Sequence, residues 1–328
     1  MDVIICKTPL RVSFFGGGTD WPEFFEEHGG AVLGTAIDKH IYHLVSPFPS
    51  ALFDYAIRLA YSKLECVRTV DEIQHGPFRE ILRYFEIQRD IEIDLTADLP
   101  SFSGLGSSSS FTVGLINALM AFQGRFIARQ ELARLAIHIE RDVLKEPVGC
   151  QDQVFATYGG LNLVEFASLD HIVVNRISLP KARLSELDNS LLLFFTGIKR
   201  RSADVESSKL KNLARIKPTL KRMRDLVDQA HGLLTGNAPL SEFGTLLKAT
   251  WQEKRTLDPG VSDTRIDQMY EAAMAAGALG GKLLGAGGGG FMLFFVPEER
   301  QAAVRQALTG YYEVLFSINA AGSSIVHS

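Results

Sequence analysis

Four stretches of the sequence carry residues whose types and spacing can do chemistry. In the first, PSFSGLGSSSSF (100–111), two glycines and a run of serines lie between an extended segment and a helical one. Glycine lets backbone come close to an anion, and the exposed N–H groups and dipole of a helix start attract one. Gly104, Leu105, Gly106, Ser107, Ser108 and Ser109 are therefore candidates for a phosphate cradle. A flexible turn with a serine cap is the plainer reading. The second stretch, IERDVLKEPVGCQDQ (139–153), puts Glu140 at the edge of an apolar helical stripe and Asp152 in a turn before another helix. Two carboxylates beside a phosphate loop are what metal-assisted phosphoryl transfer requires, although each alone reads as a surface acid or a cap. The third, FFGGGTD (14–20), follows a strand-like run containing Arg11. Gly17, Gly18, Thr19 and Asp20 could present a carboxylate to sugar hydroxyls, or form an Asx turn capping the next helix. The fourth, GAGGGGF (285–291), formally satisfies G-x-G-x-x-G, but the strand FMLFFV follows where a dinucleotide fold needs a helix. A nicotinamide-dependent oxidoreductase is excluded on that ground. Four successive glycines exceed the needs of a hairpin, so Gly287 and Gly288 point to close backbone approach to something bound.

The elements that must position these residues belong to an ordinary globular chain of 328 residues, 46% hydrophobic and 22% charged. That length predicts two lobes with a cleft between them. A net charge of -4 gives no reason to expect nucleic acid or an anionic membrane as partner. Cys6, Cys66 and Cys150 are scattered without C-x-x-C spacing, which argues against a disulfide framework or zinc site and fits a reducing cytoplasm. The opening MDVIICKTPLRV lacks the pattern of a signal peptide, and the apolar runs at 191–195 and 291–296 are too short to span a bilayer. A soluble cytoplasmic protein is expected. The first half reads as strand-rich, with buried helical sequence after the serines. The second half reads as helical to about residue 276, then as strand, glycine turn, strand and helix. The fold class is α+β, with lobes expected at 1–185 and 186–328.

Together, and in this order, TPLRVSFFGGGTD, PSFSGLGSSSSF, GCQDQ and GAGGGGF resemble the GHMP small-molecule kinases, a likeness that runs over essentially the whole chain. The resemblance implies ATP in the cleft of a two-lobed α+β fold, with Gly104 to Ser109 around its phosphates. It further implies Mg²⁺ held by Ser108 and Glu140, Asp152 beside the acceptor hydroxyl as base or positioner, and Arg11 near that acid and the γ-phosphate. The spacing from Glu140 to Asp152 is one residue longer than in mevalonate kinase. The Gly285 to Gly290 run matches the motif that holds the active-site loops together.

GGGTD replaces the galactokinase GEHTD, which keeps Asp20 but removes the preceding Glu and His, so galactose is not the expected substrate. GGGTD, FFTGIKRRSADV and TWQEKRTLDPGVSD resemble the D-glycero-D-manno-heptose 7-phosphate kinase group and its fucokinase-like relatives, which phosphorylate an anomeric hydroxyl. A substrate that already carries phosphate needs a cationic pocket, for which Lys254 and Lys282 are the candidates, followed by Lys199, Arg200 and Arg201. The alternatives are a kinase of a free sugar such as fucose and a non-catalytic sugar and ATP sensor. A homodimer is the expected assembly.

Overall fold

The computed structural model describes residues 3–101, 104–198 and 202–328, with backbone only at 202 and 203. The strands of the first half are β1 (Ile4–Phe15), β2 (Gly30–Pro47), β3 (Ile57–Ala60), β4 (Leu64–Val67), β5 (Ile91–Ala97), β6 (Leu161–Ser168) and β7 (His171–Arg176). Those of the second half are β8 (Leu191–Phe195), β9 (Gly280–Leu283), β10 (Phe291–Phe295), β11 (Tyr312–Val314) and β12 (Ser324–His327). The helices are α1 (Pro22–His28), α2 (Gly76–Tyr84), α3 (Ser107–Phe122), α4 (Arg129–His138), α5 (Gln151–Tyr158), α6 (Lys181–Asn189) and α7 (Ser202–Lys211). They continue with α8 (Leu213–Thr235), α9 (Ser241–Arg255), α10 (Thr264–Ala275) and α11 (Gln301–Ala307).

One sheet runs β12-β1-β2-β5-β3-β4, with β6 also paired to β2 and β7 to β6; the other runs β11-β8-β10-β9. Among the described residues only the β3–β5 pair is parallel. The fold is therefore the expected α+β. β1 carries β-branched and apolar residues but also Pro9, which has no N–H for the ladder. Its register against β2 shifts there, from Pro9 opposite His40 to Leu10 opposite Ile37. Such a bulge re-aims the side chains that follow it, and Arg11 is two residues on.

α3 packs on β1 and β2 and is buried on almost every side, as a helix apolar all round must be. α4 passes into a π-helical turn, Ile139–Val143, where the Leu144 N–H reaches back to the Ile139 carbonyl at 2.8 Å. A π turn absorbs an extra residue without ending the helix, and this one carries Glu140 where the spacing to Asp152 is long.

The expected division at residue 185 falls inside α6, and β12 returns the end of the chain to the first sheet. One apolar core also runs through both sheets, from Leu10 and Phe14 of β1 to Leu193 of β8 and Leu293 of β10. Phe243 of α9 links them, set edge-on against Phe14 and Phe15 with ring centroids 5.3 and 5.1 Å apart. Among the described residues, no helix is long and apolar enough to cross a membrane. Phe243→Ala should cost about 3–5 kcal/mol, read as a lower urea midpoint in one cooperative transition. Two separate transitions would show that the sheets have independent cores.

Candidate active site

Arg11 joins three parts of the chain. Its Nε and one terminal nitrogen donate to the two oxygens of Asp152 at 2.8 and 2.7 Å, and the other terminal nitrogen donates to the Gly104 carbonyl at 2.6 Å. Its own backbone N–H donates to the Leu105 carbonyl at 3.0 Å. The guanidinium is almost fully buried, while Asp152 keeps a quarter of its side chain exposed. Gly106, at φ 73°, starts α3 in the left-handed region, and it has no side chain with which to cap the helix. A β-carbon there would lie 3.1 Å from Arg11 Cγ and 3.4 Å from Asp152 Oδ2. The start of α3 thus meets the Arg11–Asp152 pair with its first N–H groups uncapped, which is a phosphate-binding arrangement.

Glu140, 2% exposed, lies behind this helix start. Its Oε2 accepts from Ser109 Oγ at 2.8 Å and from Gln153 Nε2, whereas Oε1 is buried without a partner among the described residues. Burial lifts its pKa from 4.5 to about 7, although hydroxyl and amide donors around it oppose the shift. A buried carboxylate with one orphaned oxygen fits a divalent cation, which would supply the missing partner. Of the serines, Ser109 is the one bonded to Glu140; Ser108 lies one residue earlier and is exposed. No cluster of three or more acidic, His or Cys side chains suited to a metal occurs among the described residues.

The Gly16–Asp20 loop lies alongside. Asp20 Oδ1 accepts from the Gly18 N–H at 2.9 Å and Oδ2 from the Gln151 N–H at 3.1 Å. Gly149 makes room for this carboxylate, since a β-carbon there would fall 1.9 Å from Oδ2. Burial first, then the charge of Asp152, raises Asp20 to about 6. Thr19 is an internal brace, its hydroxyl donating to the Gly16 and Ala31 carbonyls at 2.8 Å. Half-buried Gly17 faces Ser13 and Gln151; a β-carbon there would be 3.8 Å from Ser13 Oγ and Gln151 Nε2. Ser13 Oγ, Gln151 Oε1 and, on α7, Glu206 Oε2 are buried without partners among the described residues. Unpaired buried oxygens are costly unless a ligand's hydroxyls satisfy them.

The Gly285–Gly290 loop abuts the phosphate-type loop: a β-carbon on Gly285 would come within 2.5 Å of Gly104 Cα. Lys254 and Lys282 are the residues expected to face a substrate phosphate. Each is almost wholly buried and spends its ammonium on backbone carbonyls. Lys254 donates to Leu283 and Gly285 at 2.7 and 2.5 Å, and Lys282 to Ser13 and Phe14 at 2.8 Å each. A primary ammonium has three donors, and in each lysine two are committed to the protein. Burial, and then neighbouring cations, push Lys282 down to about 7 and Lys254 well below its usual value. The run Lys199–Arg201 lies outside the described residues.

The sequence reading missed Ser13, Gln151, Gly149, Glu206 and Lys209. Ser13, Gly149 and Gln151 lie inside motifs that were read, TPLRVSFFGGGTD and GCQDQ, and membership of those motifs was their one signal. Glu206 and Lys209, an ion pair of 3.3 Å one helical turn apart, look in sequence like any solvated helix pair.

Two family models match the chain, GHMP kinases N terminal domain over residues 66–160 and GHMP kinases C terminal over residues 230–314. The D-glycero-alpha-D-manno-heptose 7-phosphate kinase of Campylobacter jejuni is 31% identical over 94% of both chains. The L-fucokinase/L-fucose-1-P guanylyltransferase of Bacteroides fragilis is 26% identical over 91% of this chain, which spans 35% of that longer protein. In fold, a D-glycero-D-manno-heptose 1-phosphate kinase from Bacteroides thetaiotaomicron aligns over 99% of both chains with a TM-score of 0.79 and 23% identity.

Glu140 and Asp20 both have pKa values raised in the fold, so they stabilise it below about pH 4, and that contribution is lost as pH rises through 6 and 7. Glu140→Gln should therefore raise the urea midpoint more at about pH 8 than at about pH 5. An equal change at both would mean that Glu140 titrates in the ordinary carboxylate range.

Proposed function

This chain belongs to the GHMP kinase family and is an ATP-dependent sugar kinase; from that premise we propose that its acceptor is the anomeric hydroxyl of D-glycero-D-manno-heptose 7-phosphate. The product would be the 1,7-bisphosphate, a precursor for nucleotide-heptose synthesis. The observation that carries the kinase chemistry is the Arg11 bridge, which fixes a partly exposed carboxylate beside an uncapped helix start. The whole-length relationship to a heptose 7-phosphate kinase supports the acceptor, and so does the absence of the galactokinase Glu-His pair before Thr19.

In this reading Gly104 to Ser109 wrap the triphosphate, with α3 directing its N–H groups at it. Ser108 and Glu140 would hold Mg²⁺, which when bound neutralises charge on the phosphate oxygens. Arg11 faces the transferring group. Asp152 holds the acceptor hydroxyl in line through the lone pairs its two Arg11 bonds leave free, a role of orientation more than of proton removal. The acceptor oxygen bonds to the γ-phosphorus as the bond to the β–γ bridging oxygen breaks, its proton passes to the Asp152 carboxylate as the transfer completes, and ADP departs with the bond's electron pair. Asp20, Ser13, Gln151 and Glu206 would read the sugar's hydroxyls.

Asp152→Asn keeps the shape but changes one hydrogen-bonding oxygen, and should cut kcat by about 10²-fold or more while nucleotide affinity is retained. Near-normal turnover would remove Asp152 from the mechanism. The acceptor itself is tested by ADP release over heptose 7-phosphate, free heptose, fucose, mannose and galactose, with the product read by phosphorus NMR. A new anomeric phosphate on heptose 7-phosphate alone is the expected result. Turnover confined to a free sugar would overturn the acceptor and keep the kinase, whereas nucleotide binding without turnover on any sugar would favour a sensor.

A further inference from the structure

Gln153 is wholly buried on α5, and no step above uses it. Among the described residues its side-chain amide makes one hydrogen bond, Nε2 donating to Glu140 Oε2, while its Oε1 is buried without a partner. An amide in such a place loses hydration that it only partly recovers, and a methionine of similar length would fill the space without that cost. The contact with Glu140 is therefore what a glutamine at this position provides.

The donors around Glu140 are unevenly distributed. Gln153 Nε2 and, at 2.8 Å, Ser109 Oγ both reach Oε2. Thr112, one turn beyond Ser109 on α3, gives its hydroxyl to the Ser108 carbonyl at 3.2 Å. Glu140 Oε1 is left buried and without a partner among the described residues. Two donors on one oxygen, one from α3 and one from α5, fix the rotation of the carboxylate and leave its other oxygen for a ligand. Neither donor is charged, so the acid keeps an attraction for cations that a lysine at 153 would cancel.

Gln153 also follows Asp152 directly. Successive helical side chains diverge by about 100°, and the first turn of α5 accordingly sends Asp152 to Arg11 and Gln153 to Glu140. One helix start thus holds both acids, and the place of one constrains the place of the other.

We propose that Gln153 is a positioning residue for the bound cation, anchoring Glu140 through Oε2 so that Oε1 stays free, and tying that acid to Asp152 through the first turn of α5. The inference rests on the reading of Glu140 as a Mg²⁺ carboxylate. Groups that orient a metal's ligands without touching the metal govern about 10- to 100-fold of its affinity.

The test measures Mn²⁺ binding to the full chain with ADP present, from the electron paramagnetic resonance signal of the free ion, and separately ADP binding in EDTA. Gln153→Met should weaken Mn²⁺ by about 10-fold and leave ADP in EDTA unchanged. Glu140→Gln, measured alongside, separates the inference from its premise. If Glu140→Gln weakens Mn²⁺ and Gln153→Met does not, Gln153 is packing alone, and the proposal is overturned with the metal reading intact. If neither variant weakens Mn²⁺, Glu140 is no ligand and both are overturned. Equal weakening of Mn²⁺ and of ADP in EDTA by Gln153→Met would mean general damage to the site, which also overturns the proposal. Should Gln153→Met fail to fold, the wild-type protein decides. Its Gln153 side-chain amide protons should shift in the NMR spectrum when Mg²⁺ is added to the ADP complex, and unmoved signals would contradict the proposal.

Discussion

The Arg11 guanidinium is the interaction on which the rest of the site depends. Three of its nitrogens are spent, two on Asp152 and one on the Gly104 carbonyl, so a strand of the first sheet fixes both the phosphate-type loop and the start of α5. A bidentate arginine–carboxylate pair sets orientation as well as distance, which a lysine in the same place would not do. Neighbouring features make room for it. Pro9 bulges the strand just before it, and Gly106 leaves the gap that a β-carbon would close.

Around this pair the protein gathers ionisable groups in places that do not suit their charges. Glu140 and Asp20 are buried and drawn toward the protonated form; Lys254 and Lys282 are buried and drawn toward the neutral form. Groups of opposite type, perturbed in opposite directions around one pair, mark a functional site more strongly than either would alone. The same region holds the unpaired oxygens of Ser13, Gln151, Glu140 and Glu206.

Much of this was legible in the sequence because glycine and serine punctuate it. The left-handed turns at Gly104 and Gly106, and the uncapped start of α3, follow from a motif that can be read directly. Arg11, Asp152 and Glu140 stand within or beside such motifs, and the structure gathers them. Less legible was which serine meets Glu140, because successive helical residues point about 100° apart and a run of four serines hides the register. The direction of Lys254 and Lys282 was hidden too. Sequence and charge suggested a phosphate, whereas the structure also puts two donors of each ammonium on backbone carbonyls, those of Leu283 and Gly285 for Lys254 and of Ser13 and Phe14 for Lys282. The return of β12 to the first sheet was hidden for a related reason: it pairs with β1 across nearly the whole length of the chain, and local pattern carries no signal of such pairing.

The central claim is that Arg11 and Asp152 work as one unit. The direct measurement is kcat for Arg11→Met, Asp152→Asn and the double variant on the accepted sugar. If the pair is a unit, the double variant should be no slower than the slower single variant, because the second substitution removes something already lost. If the two rate losses multiply instead, Arg11 and Asp152 act independently and the bridge is not the feature that organises the site.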